Sequence, residues 1–124
     1  MEKADTMKIL LVEDNSEMRR LIKSMIAEIA DEIYEASDGA EAVELYRAVL
    51  PDWVLMDIFM KPTDGLTAAA AIKIADSGAK IVFVSNDADK RTRQAARKAG
   101  GNAFFGKDDL LGLVEFLKNE KLKI

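Results

Sequence analysis

Met7-Lys8-Ile9-Leu10-Leu11-Val12-Glu13-Asp14 is a short apolar run closed by two carboxylates, and its reading decides the architecture. A continuous apolar run of this length, Met7 to Val12, reads as a strand buried on both faces. The pattern recurs along the chain. Trp53-Val54-Leu55-Met56 ends on Asp57, and Ile81-Val82-Phe83-Val84 ends on Ser85. The shorter Ala103-Phe104-Phe105 passes through Gly106 to Lys107. Glu32-Ile33-Tyr34-Glu35-Ala36 alternates polar and apolar residues, as a strand at a sheet edge does.

Helical patterns fill the intervals. Met18, Leu21, Ile22, Met25, Ile26 and Ile29 fall on one helix face, with Asn15 or Ser16 placed to cap it. Residues 39–49 repeat the pattern with Ala42, Val43, Tyr46 and Val49, and residues 65–75 are rich in helix-forming Ala. Residues 88–98 read as a helix whose apolar side is only Ala. Residues 109–121 place Leu110, Leu113, Val114 and Leu117 on one face. Five strands alternating with five helices mean an α/β fold, parallel strands with helices on both faces, because each right-handed crossover must cover the sheet. The expected sheet is doubly wound and five-stranded, of order 2-1-3-4-5.

The 124 residues fit one domain, with 49% hydrophobic and 32% charged side chains in globular balance. The absence of Cys excludes disulfides and thiol chemistry. The absence of His excludes the usual zinc sites and any Ser-His-Asp arrangement within the chain. The apolar runs fall far short of the roughly 20 residues of a membrane helix, and Met1 to Thr6 is polar with no signal pattern. The expectation is a cytoplasmic protein with a short N-terminal extension over 1–6 and one domain over 7–124. The net charge of −4 is unevenly spread. Residues 1–60 carry 6 basic and 14 acidic side chains, while residues 61–124 carry 12 and 8. Such asymmetry speaks to partners, and the overall acidity argues against nucleic-acid binding.

In open α/β sheets ligands bind beyond the carboxyl ends of the strands, where strand order reverses. With strands one and three as neighbours, Glu13, Asp14 and Asp57 share one cleft, with Ser85 and Lys107 on its flank. Each residue alone has a plainer role, as a helix-end charge pair, a turn Asp, a strand-end hydroxyl or a surface Lys. Together they describe chemistry. Clustered carboxylates raise one another's pKa unless a positive charge joins them. Lys107 supplies one such charge, and the oxygen donors suit a hard divalent cation, Mg²⁺ best. An Asp carboxylate can act as nucleophile and form an aspartyl phosphate, a reaction that needs mainly positioning and charge neutralisation. With no His in the chain, the phosphoryl donor would lie on another molecule.

Leu11-Val12-Glu13-Asp14-Asn15, Met56-Asp57, Asp64-Gly65, Val84-Ser85 and Lys107 resemble the receiver domain of two-component response regulators, in register from about Met7 to the C-terminus. The resemblance implies a flavodoxin-like three-layer sandwich. It implies a phosphorylation-controlled signalling switch rather than a turnover enzyme, one that assists its own phosphorylation and dephosphorylation. Asp57 would be the phospho-acceptor, supplied by a histidine kinase or phosphotransfer protein. Asp14 and Asp57 would hold Mg²⁺ with the backbone carbonyl of Phe59, and Glu13 would help through water. Ser85 would hydrogen-bond a phosphoryl oxygen, and Lys107 would pair with it. Phe104 would be the switch aromatic, turning inward as Ser85 moves; lacking a hydroxyl, it would act by packing. The resemblance also implies a downstream protein target. Apart from it, the basic, weakly apolar helix over 88–98 with the region over 102–121 is the expected docking face, and neither nucleic acid nor membrane is an expected partner. The sequence also departs from the family pattern. Lys61 and then Pro62 stand where Pro usually lies four residues after the acceptor, Asp108 follows Lys107 in place of a frequent Pro, and Asn86 follows Ser85 in place of a small residue.

Three other readings stay open. A flavin-binding electron carrier would share the sheet order, but needs a Ser/Thr/Gly phosphate loop where Glu13-Asp14-Asn15 stands. A phosphohydrolase with an Asp nucleophile usually shows Asp-x-Asp, against Asp57-Ile58-Phe59 here. A receiver-like interaction domain that is never phosphorylated would keep the fold alone. The helix over 88–98 carries Lys90, Arg91, Arg93, Arg97 and Lys98, either a solvated face or a docking surface for an acidic partner. The chain would be a stand-alone receiver or one part of a longer regulator.

Overall fold

The computed structural model describes residues 6–123, so all of the expected N-terminal extension but Thr6 lies outside the described residues. The elements alternate as the apolar runs predict. They are β1 (Lys8–Val12), α1 (Ser16–Ile26), β2 (Glu32–Ala36), α2 (Gly39–Val49), β3 (Trp53–Asp57), α3 (Gly65–Ala75), β4 (Ile81–Ser85), α4 (Lys90–Lys98), β5 (Ala103–Gly106) and α5 (Leu110–Lys121). The strands form one sheet of order β2-β1-β3-β4-β5, and every neighbouring pair is parallel.

Side chains alternate across a strand, so each buried strand feeds two cores. Leu10, Val12, Val54, Met56, Ile81 and Phe83 pack with Ala42 and Tyr46 of α2, Ala68, Ala69 and Ile72 of α3, and Ala96 of α4. Ile9, Leu11, Trp53, Leu55, Val82 and Val84 pack on the opposite face with Ile22 and Ile26 of α1 and Leu113 and Leu117 of α5. The result is the three-layer sandwich expected from the element order.

Each helix opens on an Asn or Asp whose side chain accepts a hydrogen bond from the backbone N–H three residues on. Asn15, Asp38, Asp64, Asp89 and Asp109 fill this role. These caps correct two boundaries. The helix expected over 88–98 begins at Lys90, and that expected over 109–121 begins at Leu110, because Asp89 and Asp109 are caps with non-helical backbone. Strand ends also shift. β1 starts at Lys8 rather than Met7, while β3, β4 and β5 each run one residue further, to Asp57, Ser85 and Gly106. Pairing carries them there: Asp57 lies opposite Val84, and Ser85 opposite Gly106. The inward face of α1 is narrower than its periodicity suggests. Leu21 is 47% exposed, and Ile29 is buried from the turn beyond the helix end.

Helix α3 meets the end of β3 with no space to spare. A Cβ on Gly65 would lie 2.0 Å from the carbonyl oxygen of Asp57, a backbone atom that cannot swing away. The Gly65 N–H donates to the Ile58 carbonyl at 2.8 Å, which fixes this approach. Gly65→Ala therefore destabilises the fold by about 1–3 kcal/mol, the usual cost of overpacking, as read from urea unfolding. An unchanged midpoint would show that α3 can withdraw from the strand end without cost.

Candidate functional site

The parallel sheet delivers its strand ends to one edge, and the candidate residues stand on them. Asp57 is the last residue of β3 and Ser85 the last of β4, while Glu13 and Lys107 follow β1 and β5 directly. With β1 beside β3, carboxylate oxygens of Glu13, Asp14 and Asp57 all lie within 4.8 Å of one another. Glu13 and Asp57 are buried and Asp14 is exposed. Lys107 is not on the flank. Its ammonium lies 2.9 Å from Glu13 Oε1 and 3.4 Å from Asp57 Oδ2, with a side chain only 8% exposed.

Glu13 is pinned at each polar atom. Its N–H donates to the Ala36 carbonyl at 3.0 Å, and its Oε2 accepts from the Asn15 N–H at 3.1 Å. Its Oε1 takes Lys107, and its carbonyl accepts from Arg19 Nη1 at 2.7 Å. Nothing in the sequence marks Arg19, because on a helical repeat it reads as one more solvated cation.

The electrostatics follow from burial and from the count of charges. Asp57 is pushed up from 3.8 to about 6, chiefly by burial and next by the Glu13 charge, while Lys107 draws it back. One ammonium faces three carboxyl groups, so the cluster carries a surplus of negative charge among oxygen donors only. That donor set fits a hard divalent cation such as Mg²⁺. It is equally placed to present an Asp oxygen as a nucleophile.

The remaining predicted residues sit around this cluster. The Ser85 hydroxyl is wholly buried and accepts from the Asp87 N–H at 3.2 Å. The Lys107 N–H donates to the Ser85 carbonyl at 2.8 Å, which ties the loop after β5 to the end of β4. Phe59 is 58% exposed on the loop between β3 and α3, where the Lys61–Pro62 peptide is cis. Asn86 lines a concavity of about 270 Å³ with Asn15, Glu17, Met18, Leu21 and Lys107, so the exposed Leu21 lies beside the site. Phe104 lies two residues before the end of β5, opposite Phe83. The Arg93 guanidinium stands 4.7 Å from its ring centroid, a cation–π contact. A cavity of about 140 Å³ adjoins the ring, between α4 and β5.

Residues 9–117 match the response regulator receiver domain family. The chemotaxis protein CheY of Halobacterium salinarum is 37% identical over 99 residues, spanning 80% of this chain and 82% of that protein. The chemotaxis protein CheY of Bacillus subtilis is 39% identical over 101 residues, spanning 81% and 84%. Among solved structures, a two-component response regulator of the LuxR family from an Aurantimonas species superposes with a TM-score of 0.88 at 27% identity, over 95% of this chain and 86% of that one. The chain belongs to the response regulator receiver domain family, a family of two-component signalling switches, which sets aside the electron-carrier and phosphohydrolase readings. No helix among the described residues is long and apolar enough to cross a membrane.

The raised Asp57 carboxyl has a signed consequence for stability. Between about pH 4 and 6 the native state holds a proton that the unfolded chain, with Asp at 3.8, has released. Asp57 therefore lowers stability as pH rises through that window, and most above it. In buffer free of divalent cations, Asp57→Asn stabilises the protein at pH 7 by about 1–3 kcal/mol, since each tenfold change in proton affinity is worth roughly 1.4 kcal/mol. The gain shrinks toward pH 4, as measured by urea unfolding at several pH values. A variant less stable than wild type at pH 7 would show that the Lys107 contact outweighs burial and repulsion.

Proposed function

We propose that this receiver domain is a phosphorylation-controlled switch in which Asp57 accepts a phosphoryl group from the phosphohistidine of a histidine kinase or phosphotransfer protein. One observation carries the reading: a buried Asp at a strand end, with Lys107 at 3.4 Å and two further carboxylates within 4.8 Å. An Asp57 oxygen attacks phosphorus, the P–N bond to the donor imidazole breaks, and its electron pair returns to the ring nitrogen. Glu13, Asp14, Asp57 and the Phe59 carbonyl would hold Mg²⁺, which supplies charge neutralisation for the phosphoryl oxygens.

The chain's own groups then answer the new charge, about −1.5 to −2 at neutral pH. Lys107, already between Glu13 and Asp57, pairs with a phosphoryl oxygen. The Ser85 hydroxyl accepts from the Asp87 N–H, which leaves its proton to be donated to another phosphoryl oxygen. Phe104 turns inward as Ser85 moves, and leaves the Arg93 stack. The domain shifts between two states present beforehand, and no separate substrate is turned over. The output reaches a protein target in the cytoplasm through 88–121, where α4 presents Lys90, Arg91, Arg93, Arg97 and Lys98.

Intact mass after incubation with Mg²⁺ and acetyl phosphate tests the acceptor. Wild type gains one phosphoryl mass that hydroxylamine removes, and Asp57→Asn gains none. No gain in wild type, with Mg²⁺ bound and a histidine-kinase screen also negative, would leave a receiver fold used only for interaction.

A further inference from the structure

We propose that Arg19 is a positioning residue for the acidic cluster, holding the Glu13–Asp14 peptide so that Glu13 turns inward to Lys107 and Asp14 stays at the cluster's open side. The proposal rests on the reading of that cluster as a Mg²⁺ site. Arg19 lies on the first turns of α1, and long helical side chains point back toward the helix N-terminus. Its Nη1 reaches the Glu13 carbonyl at 2.7 Å, while its Nε donates to Glu35 Oε1 at 3.1 Å. Glu35 is steadied in turn by Lys23 at 2.8 Å. The guanidinium thus braces the end of β1 against the edge strand β2.

An ion pair near the surface contributes little by itself, and the half-buried Arg19–Glu35 pair alone would add only modest stability. The bond to the Glu13 carbonyl is different, because it falls between the two carboxylates that open the cluster. The Glu13 N–H is fixed to Ala36 and its side chain to Lys107 and Asn15. With Arg19 on the carbonyl, the peptide plane joining Glu13 to Asp14 has no freedom to rotate. The Asp14 carboxylate is then delivered to one place, within 4.8 Å of the Glu13 and Asp57 oxygens. Arg20, the next residue, is exposed and makes none of these contacts, which provides an internal control.

Calorimetric titration of the full chain with MgCl₂, paired with thermal unfolding, tests this. Arg19→Ala is expected to weaken Mg²⁺ binding by about 10-fold, the range found for groups that orient metal ligands. Its melting temperature stays near that of wild type, Arg19→Lys recovers part of the affinity, and Arg20→Ala changes neither. Arg19→Ala binding Mg²⁺ as wild type does would overturn the proposal. So would a loss of affinity that only follows a loss of folded protein and that Lys does not repair. Should Arg19→Ala not fold, Glu35→Gln decides, with weaker Mg²⁺ binding expected and unchanged binding against the proposal. A wild type that binds no Mg²⁺ would instead remove the metal reading itself, and Arg19's role with it.

Discussion

Lys107 lies between two buried carboxylates, and most of what is unusual in this molecule follows from that placement. Burying charge is costly, and a close pair repays the cost only when every polar atom is met. Glu13 meets the condition, with bonds at its N–H, its carbonyl and both carboxylate oxygens. Asp57, buried beside the Glu13 charge with Lys107 farther off at 3.4 Å, has its carboxyl pushed up to about 6. The cluster is thus no source of stability. It is a region of unbalanced negative charge held in place by the rest of the fold, which is the condition for taking up a cation and an electrophile.

What holds it is the parallel sheet. Parallel strands share one direction, so their ends emerge along one edge, and order β2-β1-β3-β4-β5 makes β1 and β3 neighbours where the chain reverses its progress. Two apolar layers fix the strands that carry the cluster, and β3 and β4 are buried at every residue. The glycine contact shows how narrow the tolerance is. Gly65 sits against the Asp57 carbonyl with no room for a Cβ, so α3 clamps the backbone that carries the proposed phospho-acceptor. Rigidity here keeps the carboxylates together against their own repulsion.

The architecture is legible in the sequence because buried parallel strands leave continuous apolar runs, and each run here is followed by a polar residue of the cluster. Order and helix faces follow from alternation. Boundaries are harder, since Asp89 and Asp109 look like first-turn residues until their side chains are seen accepting from Thr92 and Gly112. Leu21 reads as core because periodicity marks a face but not its width. The cluster's members can be named from their places after the strands, yet Lys107's insertion between Glu13 and Asp57 depends on how a loop closes. Arg19 cannot be found at all. Its role comes from a side chain reaching back one helical turn to a carbonyl, and a carbonyl has no letter in the sequence.

The same geometry says where a change at the cluster would travel. Helix α4 buries one residue, Ala96, whereas α3 buries four, so α4 has little apolar contact to lose if it moves. Its link to the cluster is a series of side-chain bonds to backbone. Ser85 Oγ accepts from Asp87 N–H at 3.2 Å, Asp87 Oδ1 from Asp89 N–H at 3.1 Å, and Asp89 Oδ1 from Thr92 N–H at 2.8 Å. The series starts on the hydroxyl that would turn toward a phosphoryl group and ends on the cap of α4. A second contact closes the loop from the other side, through Arg93, which donates to the Ala88 carbonyl at 2.9 Å and stacks on Phe104. Each bond contributes only about 1 kcal/mol net, so the series can be remade at modest cost. A weakly anchored helix joined to the site by remakeable bonds, beside a sheet that does not yield, will take up most of any rearrangement. The five cations it carries would then be displaced with it, so the charge proposed for Asp57 would change the surface offered to a partner.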